Sequence, residues 1–196
     1  MPYRRKIDPL TAVDWLFFRL RPQNFPTRRL AGLAAILLYF IEGGFLEGIK
    51  KLFDMYRKQP DRIKRELIKI LTVSANGYWI DHFCFDESRQ THATRLPAKL
   101  VGKDRAAEIV INIILPCMLA YSEEINDGKL LSTCRIMYAQ SAPLAENSIT
   151  REMKSLIFSS LLQNSIDTVR KQQGLIQLYK NVCLPALCRN CLDRYN

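Results

Sequence analysis

The sequence predicts an all-α fold, a single multi-helix orthogonal bundle ending in a short Cys-rich tail, and three observations carry that expectation. Apolar residues recur at three- and four-residue spacing along most of the chain, no run alternates with period two for long enough to make a sheet, and no internal repeat occurs at solenoid spacing. The chain has 196 residues and is 48% hydrophobic, long enough to bury one sizeable core. One domain over residues 1–196 is expected, with a basic extension at 1–7 and the Cys-rich tail at 181–196.

The elements follow in order. Asp8 and Pro9 supply an N-cap and a first-turn proline, and Leu10, Val13, Leu16 and Phe17 then mark a helix from about Asp8 to Leu20. Pro22 and Pro26 bracket a stiff loop, because each lacks a backbone donor and pushes its predecessor out of the helical region. Thr27 reads as the cap of a second helix, whose body from Leu30 to Phe40 is apolar on nearly every side and so belongs in the middle of a bundle. Gly43 and Gly44 end it. Phe45, Ile49, Leu52, Phe53 and Tyr56 trace the stripe of a third helix, and Pro60 and Asp61 open a fourth with Ile63, Leu67, Ile70 and Leu71 on its apolar side. Asn76-Gly77 precedes an aromatic cluster, Tyr78, Trp79, Asp81, His82 and Phe83, and residues 86–97 read as a loop. A very apolar helix spans Gly102 to Ser122 with Asp104 near its start, and Pro116 inside it should produce a kink. Leu130 to Tyr138, Ser148 to Leu162 with Asn147 as cap, and Ile166 to Lys180 complete the set.

No stretch reaches the roughly 18 uninterrupted apolar residues of a membrane span, and the N-terminus lacks the apolar segment of a secretory signal. A cytoplasmic chain without a membrane partner is expected, and its six cysteines should stay reduced. The formal charge is +10, unevenly spread: residues 1–70 hold 15 Lys and Arg against 7 Asp and Glu, residues 71–196 hold 14 against 12. That asymmetry fits nucleic acid as a partner, since cations that neutralise phosphates gain affinity from released counterions. Lys50, Lys51, Arg57 and Lys58, then Arg62, Lys64, Arg65 and Lys69, form the candidate polyanion surface. The competing reading is an ordinary solvated helix face.

Cys183, Cys188 and Cys191, spaced Cys-x4-Cys-x2-Cys, bring three soft ligands together with the two-residue gap of many zinc and iron–sulfur sites. A fourth ligand is needed, and His82 is the candidate, with Cys84, Cys117 and Cys134 expected to be thiols in apolar surroundings. Free thiols capping the last helix are the alternative. Asp81-His82 is a pairing suited to proton transfer, but a histidine among aromatics is more often a hydrogen-bonded core residue. No phosphate loop, Ser-His-Asp arrangement or His-x3-His pair occurs. Asn112, set in an apolar run, needs partners if buried, and Arg170, Gln172 and Gln173 are suited either to bonding buried carbonyls or to lining a groove.

Several motifs in order suggest a family. Arg21-Pro22-x-Asn24-x-Pro26-x-Arg28-Arg29, Tyr78-Trp79-x2-His82, Gly102-x2-Arg105-Ala106 running on to Asn112 and Leu115-Pro116, Pro143-x3-Asn147-x3-Arg151-x-Met153, and Arg170-x-Gln172-Gln173-Gly174 with the terminal cysteines resemble the C-terminal half of the bacterial domain of unknown function family 2851. The resemblance carries no activity of its own. It implies longer relatives whose N-terminal half bears Gly-Pro-Asp-Phe and Glu-x-His signatures similar to a metal-dependent nuclease core, and this chain has neither. The leading expectation is therefore a non-catalytic module that binds nucleic acid or a separate N-terminal half-domain protein. The alternative is one half of a split nuclease-like enzyme with a Cys-ligated zinc or iron–sulfur site.

Overall fold

The computed structural model describes residues 24–85, 99–158 and 165–185. The described residues are all-α apart from one pair of very short strands. The predicted first helix, the loop at 86–97 and the end of the Cys-rich tail lie outside them. The chain divides into two compact units, Met1–Glu42 with Thr72–Gly102, and Gly43–Leu71 with Lys103–Asn196.

In the first unit, α1 (Pro26–Tyr39) opens on Pro26, whose fixed φ suits the first helical turn. The N-cap is Phe25 and no side chain caps it, so Thr27 is not the cap its position suggested. Its hydroxyl instead donates to Phe83 O, 56 residues away. Arg28, Gly32, Ile36 and Phe40 are buried on one side of α1. The opposite side is exposed, so the nearly all-apolar composition does not place this helix at the centre of a bundle. Against α1 lies an antiparallel pair, β1 (Val73–Ser74) and β2 (Lys99–Val101), with an irregular register. Gly32 makes that approach possible, since a Cβ there would meet Val101 Cγ2 at 2.8 Å.

The second unit starts where Gly44, at φ 80°, turns the chain into α2 (Phe45–Met55). Then α3 (Pro60–Leu71) packs on α2 through Ile63, Leu67 and Leu71 against Ile49 and Phe53, all buried. A continuous helix runs from Lys103 to Glu124. It comprises α4 (Lys103–Ile109), a π-turn (Val110–Ile114) and α5 (Leu115–Glu124), with Asp104 inside the first turn. The π-turn explains how Pro116 is accommodated: Pro116 has no N–H for the carbonyl four residues back, and one residue earlier Leu115 N–H reaches Val110 O, five residues back. By length and composition this helix is able to cross a membrane. Its buried residues, Ala106, Val110, Ile111, Ile114, Leu115 and Met118, nevertheless recur at helical spacing and meet α3 and α6, as in the core helix of a folded unit.

Asp127 caps α6 (Gly128–Gln140), its carboxylate accepting from Lys129 N and Leu130 N. Asn147 caps α7 (Ser148–Ile157) in a reciprocal box with Thr150, as its position predicted. Thr168 caps α8 (Val169–Leu178), which leads into a second π-turn, Tyr179–Cys183. Met153, Ile166 and Leu175 hold α7 and α8 together.

Candidate nucleic-acid interface

Helices α2 and α3 each bury one stripe, which leaves their charged residues on the other side. Residues 45–71 carry 8 Lys and Arg against Glu47, Asp54, Asp61 and Glu66. The structure sorts those eight cations. Lys50 Nζ lies 3.0 Å from Glu47 and 5.0 Å from the centre of the Tyr121 ring. The Tyr121 hydroxyl and the Glu47 carboxylate hold its ammonium above the usual lysine range. Arg57 bridges Asp54 and Asp127, the latter at 3.0 Å. Lys64 donates to Ser141 Oγ at 3.1 Å. Lys69 stands 4.0 Å from Glu66 with most of its side chain in solvent. Lys50, Arg57 and Lys64 are thus committed to the fold.

The remaining four differ. Lys51, Lys58, Arg62 and Arg65 are exposed, and among the described residues none of them has a carboxylate partner. Arg62 is steadied by Tyr56, its guanidinium 4.2 Å from the ring centre. Arg62, Arg65 and Lys69 step by three and four along the solvent side of α3, with successive members about 5–6 Å apart at Cβ, and Lys58 precedes them in the turn between α2 and α3. A cavity of about 260 Å³ nearby, lined in part by Lys50, Arg57, Asp54 and Asp127, is charge-balanced and offers no net pull on an anion.

The polar motif residues separate into distinct tasks. Arg28 is 1% exposed and donates from Nη1 to Trp79 O at 2.7 Å and His82 O at 3.0 Å. Burial draws its pKa below the ordinary guanidinium value. Arg29 donates to Asn24 Oδ1 at 3.1 Å, while Arg21 lies outside the described residues. Gln172, 3% exposed, matches both backbone groups of Leu144, accepting from its N–H and donating to its carbonyl, each at 2.9 Å. Asn112 is exposed on the π-turn and accepts from Gln173 Nε2 at 3.4 Å, so it is not a buried amide. Arg170 lines a shallow groove with Leu131, Arg135 and Ile136. Gln172 thus bonds the partly buried backbone of Leu144, and Arg170 lines the groove.

His82 Nδ1 sits 2.7 Å from Asp81 Oδ1 and 2.9 Å from Tyr78 O. Both neighbours are acceptors, so Nδ1 carries the proton. The ring stacks on Tyr78 with centroids 3.9 Å apart. Among the described residues no hydroxyl or thiol is hydrogen-bonded to His82, and the arrangement reads as a positioned structural histidine. Of the tail cysteines, Cys183 lies 3.9 Å from Met153 Sδ within the α7–α8 apolar cluster. Cys188 and Cys191 lie outside the described residues, among which no group of three or more His, Cys, Asp or Glu is placed to hold a metal ion. Cys134 is buried, which pushes its thiol up to about 12, whereas Cys117 is exposed and not in the apolar surroundings expected for it.

The family model described as "Protein of unknown function (DUF2851)" matches residues 2–148. The chain belongs to the DUF2851 family. No curated protein and no solved structure matches it. The DUF2851 match takes in Arg21, Asn24, Arg28, Arg29, the α2–α3 cations, Asn112 and Asn147, and ends before Arg170, Gln172, Gln173 and the tail cysteines.

Proposed function

We propose that this DUF2851 chain is a non-catalytic, cytoplasmic helical module that binds nucleic acid through the solvent side of α2 and α3. The row of Arg62, Arg65 and Lys69 on α3, with Lys58 in the turn before it, carries this reading. Three of the four have no carboxylate neighbour among the described residues, which leaves their charge available to a phosphate. Spacing by helical turns along one face gives the row a direction, which suits a phosphate backbone better than a point anion. No base-reading geometry is implied, so binding is expected to be electrostatic and tolerant of sequence.

Fluorescence anisotropy with single- and double-stranded DNA and RNA, titrated over a range of salt, tests this. With these four cations and Lys51 engaged, log K for duplex DNA should fall against log salt with a slope near −4 to −5. Arg65→Ala combined with Lys69→Ala should reduce that slope by about 2 while leaving the helical content unchanged. Absent binding, or binding indifferent to salt, counts against the proposal.

A further inference from the structure

The exposed side of α1 is, among the described residues, an apolar stripe. Leu30, Leu33, Leu37 and Leu38 are each half or more exposed, as is Ile41 just beyond the helix, and Ala34 is exposed among them. The helical path continues far enough to keep Ile41 in line, because Phe40 N–H and Ile41 N–H donate to Leu37 O and Leu38 O. Positions 30, 34, 37 and 41 step by four, three and four, the seam spacing of packed helices, with Leu33 and Leu38 flanking it. No charged residue interrupts the run between Arg29 and Glu42. Scattered exposed leucines need no explanation, but a continuous stripe of this kind marks an interaction surface.

We propose that a second copy of this chain covers the stripe, with the two α1 helices antiparallel. The stripe is symmetric about the point between Ala35 and Ile36: equal steps either way reach Ala34 and Leu37, Leu33 and Leu38, Leu30 and Ile41. A two-fold axis at that point brings large residues into shared layers across the interface, with small Ala34 facing large Leu37, the self-complementarity that an isologous contact requires. The ends select the direction. A parallel pair sets Arg29 near Arg29 and Glu42 near Glu42, while an antiparallel pair brings the basic end to the acidic one and opposes the helix dipoles. A stripe along a single helix of this length is a small patch beside the roughly 800 Å² per partner of a standard interface. The dimer should therefore dissociate on dilution through the micromolar range.

Sedimentation velocity on the full chain across micromolar concentrations tests the proposal. The weight-average mass should climb from one chain towards two. Leu37→Glu should weaken association more than about tenfold with unchanged far-UV circular dichroism, and Leu37→Ile should retain it. At low salt, Arg29→Glu should weaken association several-fold and adding Glu42→Arg should restore it. A mass fixed at one chain throughout overturns the proposal, as does a Leu37→Glu chain that self-associates normally. A monomer that instead captures a different chain, such as a separate half-domain protein, overturns it too, and an Arg29→Glu chain that associates as before overturns the antiparallel arrangement.

Discussion

Arg28 shows how one side chain organises a segment with no regular structure of its own. The stretch from Asn76 to Phe85 contains a single 3-10 turn, Gly77–Ile80, and otherwise has carbonyls to satisfy. Arg28 takes those of Trp79 and His82, Thr27 takes that of Phe83, and the Tyr78 hydroxyl reaches Cys84 O and Phe85 O. One nitrogen, Nη1, holds both carbonyls through its two hydrogens, and the ammonium of a lysine, on a stem one bond shorter, ends short of that position. Arg28→Lys should therefore lower stability by about 2–3 kcal/mol, the worth of charged hydrogen bonds lost in a buried place. Urea unfolding of a Trp15→Phe background, in which Trp79 is the one tryptophan left, measures this, and a loss under about 0.5 kcal/mol would show that the reach of the guanidinium is dispensable. The sequence presents Arg28 only as one letter of a motif, because its partners lie 51 and 54 residues away and no local pattern announces them.

At the scale of elements, local chemistry was readable and long-range chemistry was not. Asn147 is recognisable as a cap because a short polar side chain precedes an apolar run, and Thr150 closes the box. Asp127 carries the same signal before Gly128 and caps α6 two residues earlier than the apolar residues alone suggest. Thr27 sends the same signal falsely, since Pro26 already sets the first turn and leaves the hydroxyl for Phe83. The strand pair escapes detection, as two and three residues are too few to show a period of two. Its presence is nevertheless written into α1 by Gly32, a glycine inside a helix that otherwise favours alanine and leucine. Gly32→Ala gains helix propensity but forces a methyl to within 2.8 Å of buried, β-branched Val101. Overpacking of that kind costs about 1–3 kcal/mol, so the variant should be less stable by about 1–2 kcal/mol and should lose protection of the Val73 and Val101 amides in hydrogen exchange. A more stable variant would mean that β2 moves aside freely.

The whole chain is strongly basic, and its response to acid follows from where its carboxylates are engaged. In the second unit the Asp127 carboxyl is held below its ordinary range, first by Leu130 N–H and also by Arg57; Glu146 is held down by Lys154, and Asp167 by Lys171. Each joins different segments: the turn before α6 to the end of α2, the approach to α7, and the approach to α8. A carboxyl whose folded pKa is depressed stabilises the fold fully above its unfolded pKa, near 4, and loses that contribution as pH falls through the folded value. Stability should therefore be level from neutral pH to about 5 and decline below about 4, more steeply because protonation also adds to an already positive chain. Asp127→Asn separates the charge from the cap, since asparagine caps a helix about as well as aspartate but cannot pair with Arg57. That variant should be less stable than the parent at pH 7, and the deficit should vanish at a pH well below the depressed folded pKa of Asp127, where the parent's carboxyl is neutral too. Thermal unfolding followed at both pH values decides the point: a deficit that persists in acid would place the role of Asp127 in the geometry of the turn and not in its charge.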